Sequence, residues 1–340
     1  MQDRSKGLRN PALIGALALG LLLTACVGPT VIDPSTGSAG GFTIAVRTDP
    51  VTIQAGQKAT LDYFFSDAKG QPVTTLATVS GTPLQVFVVD RQLGYHVHAT
   101  SPGAGPANAY PVNVLLSHEG TYYAFAEFAP SMVVTDTTGK KATVAGPMSI
   151  LSTTISFGTG GQVEAAGAAL HEDLTPKNAG GVAISLTAPS PIQAGQPATL
   201  AFTMSELGTP IQTLALFLGS AGHVFVLDAT AQSYAHLLAR ESAGAAPEAT
   251  GSPPATPVPG SSGGTPATPA ATATTGTLPG GFGIYHPPPT APPSTALGGG
   301  IYGPVLTFQH TFPAPGLYKL FAEFFYRGQI ISAPFTVRVQ

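Results

Sequence analysis

From residue 42 onward the apolar residues come in short runs whose phase is that of strands. Leu61, Tyr63 and Phe65 alternate with more polar neighbours, and so do Leu200, Phe202 and Met204, the period-2 signature of a strand with one buried face. Denser apolar runs follow each of these. They are Gln85–Val89, Val112–Leu116, Tyr122–Phe128 and Met148–Leu151, then His223–Leu227, Val305–Phe312, Tyr318–Phe325 and Ile330–Val339. Clusters of Gly, Pro, Asp and Ser separate the runs, as turns require. No stretch after residue 26 carries a helical period. The pattern predicts an all-β chain.

The pattern also repeats. Ile53-Gln54-Ala55-Gly56-Gln57-Lys58-Ala59-Thr60-Leu61 returns as Ile192-Gln193-Ala194-Gly195-Gln196-Pro197-Ala198-Thr199-Leu200, identical at eight of nine positions. Gly120-Thr121-Tyr122-Tyr123-Ala124-Phe125-Ala126-Glu127-Phe128 returns as Gly316-Leu317-Tyr318-Lys319-Leu320-Phe321-Ala322-Glu323-Phe324, identical at six of nine. Two matched blocks in the same order mean a duplicated domain. The offset between copies rises from 138 to 196 along the chain, so the second copy carries 58 additional residues before its last hairpin. Positions 241–300 account for them, with 13 Pro, 12 Gly, 11 Ala and 10 Thr and only Glu241 and Glu248 charged. Such a segment cannot bury enough apolar surface to offset its chain entropy, and the sequence predicts a disordered insertion over 241–303. Loop closure costs grow only logarithmically with length, so a sandwich tolerates it.

Composition narrows the function classes. Fourteen Lys and Arg against seventeen Asp and Glu leave no basic excess for nucleic acid. The single Cys excludes a disulfide framework and a Cys-rich zinc site. No Gly-x-Ser-x-Gly elbow, His-Glu-x-x-His, phosphate loop or dinucleotide fingerprint is present, so no enzyme is expected.

The start of the chain reads as an address. Arg4, Lys6 and Arg9 precede an apolar run, Pro11 to Leu23, of the length of a signal-peptide core. It ends Leu23-Thr24-Ala25-Cys26, which resembles the lipobox of bacterial lipoproteins. The resemblance implies cleavage before Cys26, acylation of Cys26, and a palmitate-bearing protein held at the cell membrane or outer membrane on the extracytoplasmic side. Loss of Asp3, Arg4, Lys6 and Arg9 would take the formal charge from −3 to −5. The expected plan is a signal peptide over 1–26, a tether over 27–41, a sandwich over 42–157, a linker over 158–181 and a second sandwich over 182–340. The Gly-x-Tyr starts at Gly120 and Gly316 resemble the tyrosine corner of immunoglobulin-like domains, which makes the expectation two tandem Ig-like antiparallel β-sandwiches.

Eight His in a chain with 9% charged residues are the candidate chemistry. His223 shares phase with Phe225 and Leu227, and His310 with Phe308 and Phe312, so both are expected on apolar faces. With His236 they form a ligand set for Cu, or secondarily Zn, if they converge at one end of the sandwich. His96 and His98, at i and i+2, share one face of a strand and offer either a second clamp or a solvent-facing pair. His118 lies in the turn before Gly120. Glu127 and Glu323 fall out of phase with Tyr122 and Tyr318 and are expected on the solvent side, pairing with a neighbouring strand. His171-Glu172-Asp173 reads as solvated linker.

Phe308-Gln309-His310-Thr311-Phe312-Pro313-Ala314-Pro315-Gly316-Leu317-Tyr318-Lys319-Leu320-Phe321 and Gly222-His223-Val224-Phe225 resemble a loose group of bacterial secreted proteins with Gly-His-x-Val and His-x-His-Pro elements. Some of these resemble components of copper and heavy-metal handling. The resemblance implies a lipid-anchored extracytoplasmic binding module with a transition-metal site. The sequence departs from that group where Ala99 follows His98 and where Tyr234-Ala235-His236-Leu237 keeps one His. The alternative expectation is a structural or protein-interaction lipoprotein of the cell envelope with no metal site.

Overall fold

The repeated Gln-Ala-Gly-Gln motif is a turn that opens the second strand of each sandwich. Gly56 and Gly195 both sit at φ +72°, a left-handed conformation that favours glycine. Their N–H groups donate to the carbonyls of Leu116 and Phe312, at 2.6 and 2.8 Å. The turn therefore ties the start of that strand to the end of the strand paired with it.

The computed structural model describes residues 41–51, 53–157, 170–239, 276–277 and 302–340. Cys26, the tether up to residue 40, part of the expected linker and nearly all of the insertion lie outside the described residues. Repeat 1 consists of β1 (Thr43–Asp49), β2 (Lys58–Ser66), β3 (Leu76–Ala77), β4 (Leu84–Asp90), β5 (His96–Ser101), β6 (Tyr110–Leu115), β7 (Gly120–Thr135), β8 (Lys141–Ala145) and β9 (Ser149–Phe157). Repeat 2 follows with β10 (Lys177–Ala179), β11 (Val182–Thr187), β12 (Pro197–Glu206), β13 (Thr209–Pro210), β14 (Gly222–Asp228), β15 (Ser233–Leu238), β16 (Gly276–Thr277), β17 (Val305–Thr311), β18 (Gly316–Tyr326) and β19 (Gln329–Val339).

Each repeat is a sandwich of two antiparallel sheets. In repeat 1, β1-β2-β6 faces a sheet in which β5, β4, β7 and β9 lie side by side. In repeat 2, β11-β12-β17 faces β15-β14-β18-β19. This is the immunoglobulin-like arrangement, with the fourth strand joined to the sheet of the last hairpin. The tyrosine corner is present in both copies. Tyr122 Oη donates to the carbonyl of His118 at 2.7 Å, and Tyr318 Oη to that of Ala314 at 2.9 Å. Each hydroxyl satisfies a carbonyl four residues upstream and fixes the corner into β7 or β18.

The described part of the expected linker, 170–181, is built into repeat 2. Asp173 exchanges both backbone hydrogen bonds with Thr336, and Lys177–Ala179 pairs with Val182–Ile184. Asp173 Oδ1 accepts from the backbone N–H of Thr175, and Lys177 Nζ reaches Asp173 Oδ2. The segment is solvent-exposed as expected, but it is paired to repeat 2 and its turn is held by its own side chains.

Among the described residues three large apolar clusters, beside a small one around Phe217, Leu218 and Phe325, hold the fold together. One fills sandwich 1 around Tyr63, Phe65, Tyr110 and Phe128, and one fills sandwich 2 around Phe202, Phe308, Phe324 and Phe335. The third belongs to neither. It joins Phe87, Val89, Tyr123 and Phe125 of repeat 1 to Phe225, Leu227, Tyr234 and Phe321 of repeat 2. The β4-β5-β7-β9 and β14-β15-β18-β19 sheets pack outer face against outer face. Every residue of β4 is therefore buried, odd positions on one side and even positions on the other.

Candidate functional site

The face between the repeats holds the residues with chemistry, arranged about a pseudo-twofold axis. Phe87 and Phe225, equivalent positions, stack with ring centroids 4.2 Å apart. On one side of them Phe125 stacks on Tyr234 at 4.3 Å, and on the other Phe321 lies 4.3 Å from His96, again equivalent pairs. Contacts of residue i with j and of j with i are the mark of an isologous interface.

Two buried glutamates cross this interface in opposite directions. Glu127 of repeat 1 accepts from Tyr234 Oη at 2.5 Å and from His236 Nδ1 at 2.8 Å, both of repeat 2. Glu323 of repeat 2 accepts from His96 Nε2 at 2.9 Å and from His98 Nδ1 at 2.8 Å, both of repeat 1. Glu127 is 7% exposed and Glu323 1%. The expectation that these two carboxylates face solvent is corrected. They do point away from their own sandwich core, but the second sandwich covers them. The same cover removes the solvent-facing reading of His96 and His98, which share one face as expected and are buried on it.

Hydrogen-bond roles fix the protons in the Glu127 branch. His223 Nε2 lies 2.7 Å from the carbonyl of Phe217, which can only accept, so Nε2 carries a hydrogen. Burial, reinforced by the neighbouring imidazoles of His236 and His98, pushes His223 down to about 3, so its Nδ1 is a bare acceptor at neutral pH. His236 Nε2, 2.9 Å away, must then donate to it. Burial pushes the Glu127 carboxyl up, but the charge and hydrogen bond of His236 and the hydroxyl of Tyr234 outweigh this and hold it below its ordinary value. Glu127 is therefore a carboxylate, and His236 Nδ1 donates to it as well. His236 thus links His223 and the Phe217 carbonyl on one side to the Glu127 carboxylate and the Tyr234 hydroxyl on the other.

The Glu323 branch is built differently. Burial lowers His96, which donates to Glu323 as a neutral ring. The Nε2 of His98 is buried without a hydrogen-bond partner. Its ring lies 5.7 Å from that of His223 and 6.0 Å from that of His236. Gln85, the counterpart of His223, leaves its Oε1 buried and unpartnered. The symmetry of the fold is thus broken in its chemistry, with two imidazoles hydrogen-bonded to each other on the Glu127 side and Gln85 beside His98 on the other.

Local structure explains the placement. Gly222 precedes His223 because a Cβ there would lie 2.9 Å from the Phe324 ring and 3.0 Å from Leu306. On β14, Val224 and Val226 enter the sandwich core while His223, Phe225 and Leu227 face the other repeat.

His223 and His236 meet, but His310 does not join them. It lies on β17, in the other sheet, opposite Ala198. There it packs edge-on against Phe312, at 4.6 Å, inside sandwich 2. Burial lowers it to about 4, and its Nε2 has no partner. The expected convergence of all three is corrected. Both His223 and His310 share phase with phenylalanines, but one set faces the interface and the other the core. His118 stays at the surface, 3.0 Å from Asp90. Among the described residues no group of three or more His, Cys, Asp or Glu is placed to hold a metal ion, and no helix is long and apolar enough to cross a membrane.

Residues 177–257 and 283–340 are similar to a domain of unknown function, DUF8832, a match confined to repeat 2 and its insertion. No curated protein matches the chain. Among solved structures the chain is similar to Escherichia coli alpha-2-macroglobulin activated by porcine elastase. That similarity is 14% identity over 88% of this chain and 23% of the length of that chain, with a TM-score of 0.19.

Proposed function

We propose that this protein is a structural or protein-interaction module of the cell envelope, lipid-anchored through Cys26, with no catalytic role. The observation that carries this reading is the closure of the His and Glu side chains between the repeats. His96, His98, His223 and His236 direct hydrogen bonds to Glu127, Glu323, a carbonyl or each other, and phenylalanines seal the interface. Groups used in this way join two sandwiches into one rigid body and do not face a substrate cleft. Outward function then falls to the β1-β2-β6 and β11-β12-β17 faces, the loops and the sheet edges.

A second reading, Cu or Zn bound by histidines, is favoured by one observation: the unpartnered Nε2 of His98 beside the His223 and His236 rings. Calorimetric titration of the mature protein with Cu and with Zn separates the two. The structural reading expects no saturable binding that depends on these rings. Stoichiometric binding that is abolished in the His98→Ala, His223→Ala double variant would overturn it in favour of the metal site.

A further inference from the structure

Half of the large apolar side chains exposed among the described residues lie in one short segment. Met132, Val133, Val134, Val144 and Met148 are 45%, 65%, 43%, 40% and 40% exposed. All but Met148 belong to a hairpin in which β7 runs on past the sandwich and pairs with β8, Ser131 opposite Ala145 through Thr135 opposite Lys141. The fold does not need this hairpin, since repeat 2 makes the same connection with the turn at Arg327 and Gly328 between β18 and β19. Both of its faces carry aliphatic residues. Met132 and Val134 pair with Val144 and Ala142 on one side, and Val133 pairs with Thr143 on the other.

The tip is basic in an acidic chain. Asp136 Oδ1 accepts from the N–H groups of Thr138 and Lys140, so the one carboxylate of the hairpin closes its turn. Lys140 and Lys141 are exposed beside it, in a chain of formal charge −3. The base of the hairpin lies where the chain enters the fold, for the ring of Phe42, just before β1, packs 5.6 Å from Phe128 near the sandwich end of β7. Fifteen tether residues, 27–41, hold that point within roughly 50 Å of Cys26 in any conformation.

We propose that the β7–β8 hairpin is a lipid-contacting finger, its aliphatic faces meeting the boundary of the acyl chains and its two lysines meeting anionic headgroups. The proposal rests on the reading of Cys26 as the lipid anchor, which keeps the same end of repeat 1 within reach of the membrane. Aliphatic surface with adjacent lysines is the composition that binds an anionic bilayer surface.

The test uses the mature protein with Val133→Cys, labelled with a polarity-sensitive dye and mixed with vesicles of zwitterionic lipid with or without anionic lipid. Acylation of Cys26 leaves one thiol to label, so one dye per chain supports the anchor and two dyes overturn it. With anionic vesicles the expected result is blue-shifted emission and quenching by spin-labelled acyl chains. The Lys140→Glu, Lys141→Glu background should weaken the partition of the dye by about tenfold or more. One dye per chain on vesicle-bound protein whose emission stays that of water overturns the finger and leaves the anchor standing. Dye quenching that grows with protein concentration without lipid also overturns it, because it assigns the hairpin edge to a second copy of the chain.

Discussion

Phe87 and Phe225 occupy the same position of the two repeats and stack on each other, rings 19° from parallel. Neither belongs to a sandwich core, so their contact separates the docking of the repeats from the folding of each. Phe87→Ala is expected to cost about 3–5 kcal/mol, as large-to-small changes in packed cores do. The loss should fall on docking. Urea unfolding followed by strand circular dichroism should resolve into two transitions where the parent shows one. A single transition of unchanged midpoint would count against this seam.

Glu127→Gln keeps the shape of the side chain but removes the anion facing His236. The buried donors of Tyr234 and His236 then lose a charged acceptor, and the variant should lose roughly 1–3 kcal/mol at pH 7. Combining it with His236→Phe should recover part of that loss, because one of the stranded donors goes too. Chemical denaturation of the two single variants and the double variant measures the coupling, and additive losses would contradict the contact between Glu127 and His236.

His310 has a built-in control, since the equivalent position of repeat 1 is Val114, also buried. His310→Val should therefore fill its site, and removing the unpartnered Nε2 should stabilise the protein by about 1 kcal/mol at pH 7. The pH dependence has a definite sign. The folded-state value is depressed to about 4 from 6.5, so the unfolded chain binds more protons in between and stability rises with pH across that window. The gain from the variant should consequently grow by about 2–3 kcal/mol as pH falls from 7 to 4. His223, lowered to about 3, acts in the same direction and persists in the variant. Thermal denaturation of both proteins from pH 4 to 8 checks the slope, and parallel curves would refute it.

Asp90 works the other way. Burial raises it to about 7, against the backbone N–H groups of Gln92 and Gly94 that favour the anion. The folded state holds more protons than the unfolded chain between about 4 and 7, so this group's contribution falls as pH rises. Asp90→Asn should nearly equal the parent near pH 4 and exceed it by about 4 kcal/mol at pH 8. A variant that is weaker at pH 8 would show that the His118 contact outweighs the cost of burial.

The sandwiches, their duplication and both tyrosine corners were legible in the sequence because each rests on local information. Period-2 alternation, a turn glycine and a repeated Gly-x-Tyr all act within a few residues. The site was half legible. His96 and His98 were expected on one face because i and i+2 of a strand share a face; His223 and His236 were expected together only as a set with His310, and it is the pairing of β14 with β15 that brings those two rings together. What phase could not supply was the identity of the surface. On β17, buried on one side, phase correctly sends His310 into the core, but on β14, buried on both sides, an apolar neighbour says only that something covers His223. Glu127 looked solvated because its partners, Tyr234 and His236, lie 107 and 109 residues away. One signal was available: a carboxylate kept in both copies amid Phe-Ala-Glu-Phe, where nothing but burial surrounds it.

The reciprocal seam has a consequence for how the molecule persists. Two free-standing copies of one domain meeting through such a surface would drift apart on dilution, and their union would follow the amount made. Written into a single polypeptide, each half sees the other at roughly millimolar effective concentration whatever the copy number. Covalent linkage also frees the halves from having to match, so that one side can hold His223 where the other holds Gln85.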